Sequence, residues 1–249
     1  MTSSSNEKIV IIGATSGIGY ELAKLYVAAG CKVGITGRRA HLLEELRLLY
    51  PQQIITACFD VMGNDNVHHV DALIAELGGL DLLIYNSGYG EISETLDWSI
   101  DKTIVDTNVN GFITIANHTF NYFARQGYGQ LAATSSIASI AGNPFAPAYS
   151  ASKAFMSTYL EGLWIKARKM KRQGLITKEI IITDIQPGFV KTKMAKGKGR
   201  FWEAPVDKAA RQIYKAIGQH RFRIYITRRW WLVAKLLLWM PGWLRRRIL

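Results

Sequence analysis

The sequence predicts an α/β protein: a doubly wound, mostly parallel seven-stranded sheet with helices on both faces, plus a short C-terminal helical appendage. Three observations predict it. Short β-branched runs alternate with segments whose apolar residues recur at helical spacing. Runs such as Ile9-Val10-Ile11-Ile12 are apolar at every position, as strands covered on both faces must be. No repeat, low-complexity linker or proline-rich boundary interrupts the chain, so 1–227 reads as one domain and 228–249 as an appendage. With 249 residues, 49% of them hydrophobic, the chain can bury a large core, which excludes a disordered protein.

Each element follows in order. The run 8–12 feeds a glycine-rich turn and a helix from Ile18 to Ala29. The run 32–36 precedes a helix from His41 to Leu49, and 54–59 forms the third strand. The runs 81–85, 130–134, 179–185 and 221–226 supply the remaining four. Cys31 and Cys58, the only cysteines, fall beside or within strands and read as small buried side chains. One opens its strand and the other nearly closes the next, so parallel neighbours would hold them at opposite ends, too far apart for a disulfide. Their spacing matches no metal or redox motif, and no metal site is expected. The short polar start lacks the basic and apolar regions of a secretion signal, which sets the cytoplasm as the expected location.

The first strand runs directly into Gly13-Ala14-Thr15-Ser16-Gly17-Ile18-Gly19 and then a helix. Glycines let a backbone turn tightly and approach a pyrophosphate, whose charge then meets the amides of a helix N-terminus. The spacing is G-x-x-x-G-x-G, and it resembles the loop of the short-chain dehydrogenase/reductase family. That resemblance implies a Rossmann-type domain and makes Gly13, Thr15, Ser16, Gly17, Ile18 and Gly19 the candidate dinucleotide contacts. Where the family usually has Thr before the first glycine, this chain has Ile12.

A carboxylate at the end of the second strand would bind the ribose diol of NAD, whereas an arginine accommodates the extra phosphate of NADP. Here the strand ends Gly37-Arg38-Arg39 and no acid occurs before Glu44, which favours NADP. Ser16 stands where the family often places a second basic residue. Asp60-Val61 resembles the family's adenine contact; a turn-capping role for Asp60 is the other reading. Asn86-Ser87-Gly88 resembles the segment that steadies the sheet beside the adenosine.

Tyr149 and Lys153 stand four residues apart, on one helical face. A free phenol has a pKa near ~10, and a nearby cation draws it toward neutral pH, where a general acid/base works best. A second pair with this spacing, Tyr20 and Lys24, lies in the helix after the glycine loop. Thirteen residues before Tyr149 is Ser136, but thirteen before Tyr20 is Glu7, so only the first pair has a hydroxyl donor at the family's spacing. The resemblance implies that Ser136 bonds the substrate oxygen, with Ser135 as the rival position. It also implies a helical asparagine that holds a kinked helix open and keeps a water near the lysine. Asn108, followed two residues on by the Asn110-Gly111 step, fits that pattern, and Asn110 is the competing register. Pro187-Gly188, with Val190 and Thr192 after it, matches the segment that lies against the nicotinamide and bonds its amide or the pyrophosphate. These motifs occur in the family's order across residues 8–192.

The implied activity is hydride transfer between NADP(H) and a carbonyl or secondary alcohol, on an apolar or lipid-like substrate. Ser136 and Tyr149 would polarise the oxygen, Tyr149 would carry the proton, and Lys153 would tune the phenol and orient the ribose. The alternative is a non-catalytic NADP-sensing regulator or scaffold, which would need no proton donor. A homo-dimer or homo-tetramer is implied by resemblance alone.

The net charge of +12 is unevenly placed: 221–249 holds eight basic residues and no acid. Four of the seven tryptophans, Trp230, Trp231, Trp239 and Trp243, lie in that stretch. Its apolar core is too short for a membrane span, which needs ~20 residues. Tryptophan with arginine beside leucine suits an interfacial helix on a membrane surface. Packing over the substrate pocket or against a subunit remains the other reading, and nucleic acid is not an expected partner. The segment 193–205, where the family has its substrate-covering loop, carries Lys193, Lys196, Lys198 and Arg200. It suits an acidic or lipid-borne substrate, or a merely solvated lid.

Overall fold

The computed structural model of the chain describes residues 6–192, 202–227 and 229–248. Seven strands form one sheet: β1 (Lys8–Ile12), β2 (Lys32–Gly37), β3 (Ile54–Cys58), β4 (Leu82–Tyr85), β5 (Gly129–Thr134), β6 (Ile180–Pro187) and β7 (Arg223–Ile226). Their order is β3-β2-β1-β4-β5-β6-β7, and every neighbouring pair is parallel. The expected strands are all present, shifted by no more than two residues at their ends. The crossovers are α1 (Gly17–Ala28), α2 (Ala40–Leu49), α3 (Asn66–Leu77), α4 (Trp98–Val105), α5 (Gly111–Gln126), α6 (Pro147–Arg172) and α7 (Val206–Gly218). A π-helical turn, Asp106–Asn110, joins α4 to α5.

Alternation along the strands sorts the core into two layers. Ile9 and Ile11 of β1 face one layer with Leu22 and Tyr26 of α1, Leu43 of α2 and Ile213 of α7. Val10 and Ile12 face the other, with Leu73 of α3, Phe112 and Phe123 of α5 and Leu160 of α6. The two-residue period of a strand thus feeds both layers from a single apolar run. Because β1 is flanked by β2 and β4, the winding direction reverses there, leaving a crevice at the carboxyl ends of the strands.

Neither cysteine is in a disulfide; Cys31 is buried, as expected, but Cys58 is exposed. It closes β3, an edge strand, where one side has no neighbour to cover it. Beyond β7 come α8 (Trp230–Trp239) and α9 (Gly242–Ile248). The first of these packs back over the crevice: Trp230 and Ala234 are buried, and Trp230, Val233 and Leu237 line the cavity below.

Candidate active site

A cleft of about 950 Å³ lies over the carboxyl ends of the strands. It runs from the β1–α1 loop, past the ends of β2 and β4, to the start of α6 and the inner face of α8.

At one end, Gly13 and Gly17 have φ of +87° and +62°, a left-handed backbone that glycine adopts without strain. Gly19 does not line the cleft. A Cβ on it would lie 2.2 Å from the Gly13 carbonyl oxygen, so it is the residue that lets α1 sit tightly behind the loop. Thr15, Ser16 and Ile18 line the cleft beside Gly13 and Gly17. Arg39 crosses the loop, donating from Nη2 to Thr15 Oγ1 at 2.5 Å and to Ser16 Oγ at 2.8 Å. Arg38 is exposed and pairs with Asp60 at 3.3 Å. The other carboxylate oxygen of Asp60 accepts from the Met62 amide at 3.1 Å, so the cleft-lining and turn-capping readings of Asp60 are compatible. Val61 is buried at the cleft wall. Asn86 also lines the cleft, donating to the Gly13 carbonyl and accepting from Thr134 Oγ1, each at 3.1 Å; it ties β4 to the loop and to β5.

At the other end, Tyr149 lies in the first turn of α6, whose start is fixed by Pro147 at a position where no amide is needed. Its ring packs against Gly90, where a Cβ would come within 2.7 Å. Ser136 begins the turn after β5 and accepts from the Ala138 amide at 3.1 Å. Its rival, Ser135, is consumed by the fold: its hydroxyl donates to Asp184 and, at 3.2 Å, to the Ile185 carbonyl. Burial raises the Tyr149 phenol, and a hydrogen bond with Ser136 pulls it back down.

Lys153 differs from expectation. The side chain is 3% exposed, and Nζ donates to the Thr134 carbonyl at 2.9 Å and approaches the Met156 sulfur at 3.4 Å. It lies 5.8 Å from the centre of the Tyr149 ring. Desolvation lowers its pKa to about 8, against the opposing charge of Asp184. Burial dominates at both groups: the phenol's pKa stays above its ordinary value, and that of the ammonium, held by a backbone carbonyl, falls below its own.

Asn108 sits in the π-helical turn, fully buried and behind the cleft. Its Oδ1 accepts from the Tyr89 amide at 2.8 Å, while Nδ2 donates to the Tyr89 carbonyl at 2.8 Å and to Ser152 Oγ at 3.0 Å. It clamps the segment after β4 to α6. Asn110 faces outward and donates to Asp106 at 2.9 Å, so of the two asparagines it is Asn108 that turns inward. Pro187, Gly188, Val190 and Thr192 all line the cleft, with Thr192 Cγ2 close to the Gly17 α-carbon side. Tyr20 and Lys24 are elsewhere: Tyr20 packs on the first core layer and Lys24 pairs with Glu21. Of the covering segment 193–205, the residues Lys193, Lys196, Lys198 and Arg200 lie outside the described residues.

One group escaped the sequence reading. Asp184, fully buried on β6, accepts from Ser157 and Gln186 at 2.7 Å each and from Arg223 Nε at 3.1 Å, as well as from Ser135. A lone acid inside the apolar run Ile180–Pro187 was its signal. Of the two readings of the tail, packing over the pocket holds for its inner side: Trp230, Val233 and Leu237, spaced i, i+3, i+7, line the cleft as an inward-facing stripe. Among the described residues no cluster of His, Cys, Asp and Glu is placed to hold a metal ion.

Comparison with known proteins agrees with this geometry. An uncharacterised oxidoreductase of Myxococcus xanthus is 34% identical over 200 residues, 78% of this chain and 76% of that one. An 11-beta-hydroxysteroid dehydrogenase of Arabidopsis thaliana is 32% identical over 198 residues; the match covers 76% of this chain but only 54% of the plant protein. Two crystal structures share the fold. A short chain dehydrogenase of Burkholderia cenocepacia in complex with NADP superposes with a TM-score of 0.82 at 19% identity, over 99% of both chains. A short chain dehydrogenase/reductase of Burkholderia phymatum in complex with NAD gives 0.78 at 21%, over 95% of this chain and 94% of that one. The short chain dehydrogenase family model matches residues 7–201, taking in six of the seven strands and both ends of the cleft, and the chain belongs to that family of nicotinamide-dependent oxidoreductases.

Proposed function

We infer that the chain is an NADP(H)-dependent reductase or dehydrogenase that moves a hydride between nicotinamide and a carbonyl or secondary-alcohol carbon. The observation that carries this reading is the convergence of Ser136, Tyr149 and Lys153 on one end of a cleft whose other end is a glycine cradle crossed by Arg39. The cradle suits a dinucleotide: its positive-φ glycines bring backbone amides to the surface, and no carboxylate follows β2. The preference for NADP rests on Arg38 and Arg39. Gly13, Thr15, Ser16, Gly17 and Ile18 would receive the pyrophosphate. Asp60, Val61 and Asn86 would receive the adenosine, and Pro187, Gly188, Val190 and Thr192 the nicotinamide side.

The bound dinucleotide supplies or accepts the hydride. The chain's own part is to hold and move a proton at one oxygen. In reduction, the Ser136 hydroxyl donates a hydrogen bond to the substrate oxygen, so negative charge developing there is met by a donor already in place. Tyr149 then gives its proton to that oxygen. The buried ammonium of Lys153 orients the ribose and disperses the charge left on the phenol. Asn108 acts at one remove, fixing the segment after β4 against α6. Phe145, Phe189, Trp230, Val233 and Leu237 give the wall an apolar stretch, beside Glu91, Asn143 and Lys191, and that stretch supports an apolar substrate. A steroid dehydrogenase among the relatives supports the same class.

Tyr149→Phe removes a single hydroxyl. NADPH oxidation with a panel of apolar ketones is expected to fall at least a thousandfold, within the range that loss of a general acid produces (about 10²–10⁴), with NADPH binding retained. Near-normal turnover in that variant would refute the assignment. The cofactor preference has its own check. Arg39→Asp should weaken NADPH binding by at least about tenfold, as loss of one charged contact worth roughly 1.4 kcal/mol requires. NADH binding should hold steady or improve. Unchanged NADPH affinity would sink the NADP assignment.

A further inference from the structure

Helix α8 has two apolar faces. Trp230, Val233, Ala234 and Leu237 recur at i, i+3, i+4 and i+7 and point into the protein; the Trp230 indole lies so close to Gly188 that a Cβ there would come within 2.1 Å of it. The opposite face is uncovered and apolar apart from Lys235, which lies within it. Trp231 is 48% exposed, Leu232 60%, Leu236 63%, Leu238 54% and Trp239 85%, and Trp243 of α9 continues the patch at 64%. A contiguous apolar surface of this kind on a folded protein marks something that covers it.

Charge decides what that is. Arg229, Lys235 and Arg247 are exposed on the same two-helix unit, and no acid occurs anywhere in 221–249. In a two-fold contact the same patch would meet itself, so a second copy would bring cation against cation. An anionic lipid surface offers the opposite charge and an apolar layer beneath it, with tryptophan suited to the boundary between them. The ten residues of α8 measure about 15 Å, half of the ~30 Å hydrocarbon layer. Among the described residues no helix is long and apolar enough to cross a membrane. The geometry is that of a helix lying in the interface plane.

We propose that α8 and α9 dock this chain on an anionic lipid surface through Trp231, Leu232, Leu236, Leu238, Trp239 and Trp243. The inner face of the docked helix is the wall of the cleft, so docking sets the cleft against the bilayer, one helix thickness from it. A substrate dissolved in lipid then reaches the site around the edge of α8 without crossing bulk water. This last step rests on the oxidoreductase reading of the cleft; the docking itself does not.

The test uses the full-length protein, sedimented with phosphatidylcholine vesicles and with vesicles of equal parts phosphatidylcholine and phosphatidylglycerol. Most of the protein should sediment with the anionic vesicles, little with the neutral ones, and the bound fraction should fall in about 1 M salt, where the Debye length shrinks to roughly 3 Å. The triple variant Leu232→Gln, Leu236→Gln, Trp239→Gln changes only the outer face and should bind at least about tenfold more weakly, with NADPH binding as in the wild type. Tyr149→Phe should sediment like the wild type, which separates docking from catalysis. Wild-type protein that stays in the supernatant overturns the proposal, as does equal sedimentation with neutral vesicles or by the triple variant. A dimer that the triple variant dissociates, without vesicle binding, also overturns it and assigns the face to a second copy.

Discussion

At the residue scale, the least expected behaviour belongs to Lys153. Its partner is the Thr134 carbonyl, and its pKa falls to about 8 because the charged form is desolvated. An unfolded lysine keeps its proton up to a pKa near ~10.4. Between those values the unfolded chain binds more protons than the folded one, so stability rises with pH across that window. Below it, burying the charge costs the fold roughly 3 kcal/mol, at 1.36 kcal/mol for each pKa unit. Lys153→Met is therefore expected to raise the melting temperature at pH 7, by about 2–4 °C per kcal/mol recovered. The gain should shrink as the pH rises from about 8 toward ~10.4. Melting curves of the cofactor-free proteins check this, and a gain independent of pH would show that the ammonium is not strained. Under the proposed function, fold stability is given up here for a charge held 5.8 Å from the centre of the Tyr149 ring.

At the element scale, the cleft depends on places where main chain comes unusually close to a neighbour. Gly19 lets α1 lean on the Gly13 carbonyl, Gly90 admits the Tyr149 ring, and Gly188 admits the Trp230 indole. The π-helical turn between α4 and α5 is a related device. Such turns are frequent at functional sites, and this one places Asn108 inward to hold both polar groups of the Tyr89 backbone. The Gly188 contact makes a specific expectation. A methyl added there meets the indole at 2.1 Å, and α8 must shift. Gly188→Ala should destabilise the protein by about 1–3 kcal/mol, the usual cost of overpacking, and shift the emission of the buried Trp230. Unchanged thermal stability and tryptophan fluorescence would mean that α8 is not seated on the cleft.

For the whole molecule, alternating β-branched runs and helical stretches were sufficient to specify an α/β sheet, because the two periods differ and each strand's apolar run demands cover on both faces. The order of motifs placed the glycine loop, Asn86, Asn108, Ser136, Tyr149 and Pro187 along the chain, since each needs particular residue types at short range. Spacing left three choices open. Ser136 over Ser135, and Asn108 over Asn110, depend on which way a side chain leaves its turn, and that follows from packing. Whether the basic, tryptophan-rich tail covers the cleft or faces outward depended on contacts more than forty residues apart in sequence, between Gly188 and Trp230; α8 turns out to do both. Asp184 was hidden for the same reason: an acid in a buried strand is legible only once Ser135, Ser157, Gln186 and Arg223 gather around it. Local chemistry, the periods of strand and helix and the reach of a phosphate loop, is written in short stretches of sequence and determined the fold and the motifs by itself. The direction of the Lys153 ammonium, the isolation of Ser135 and the two-sided use of α8 were decided by tertiary structure, because burial and partners arise only when distant segments meet.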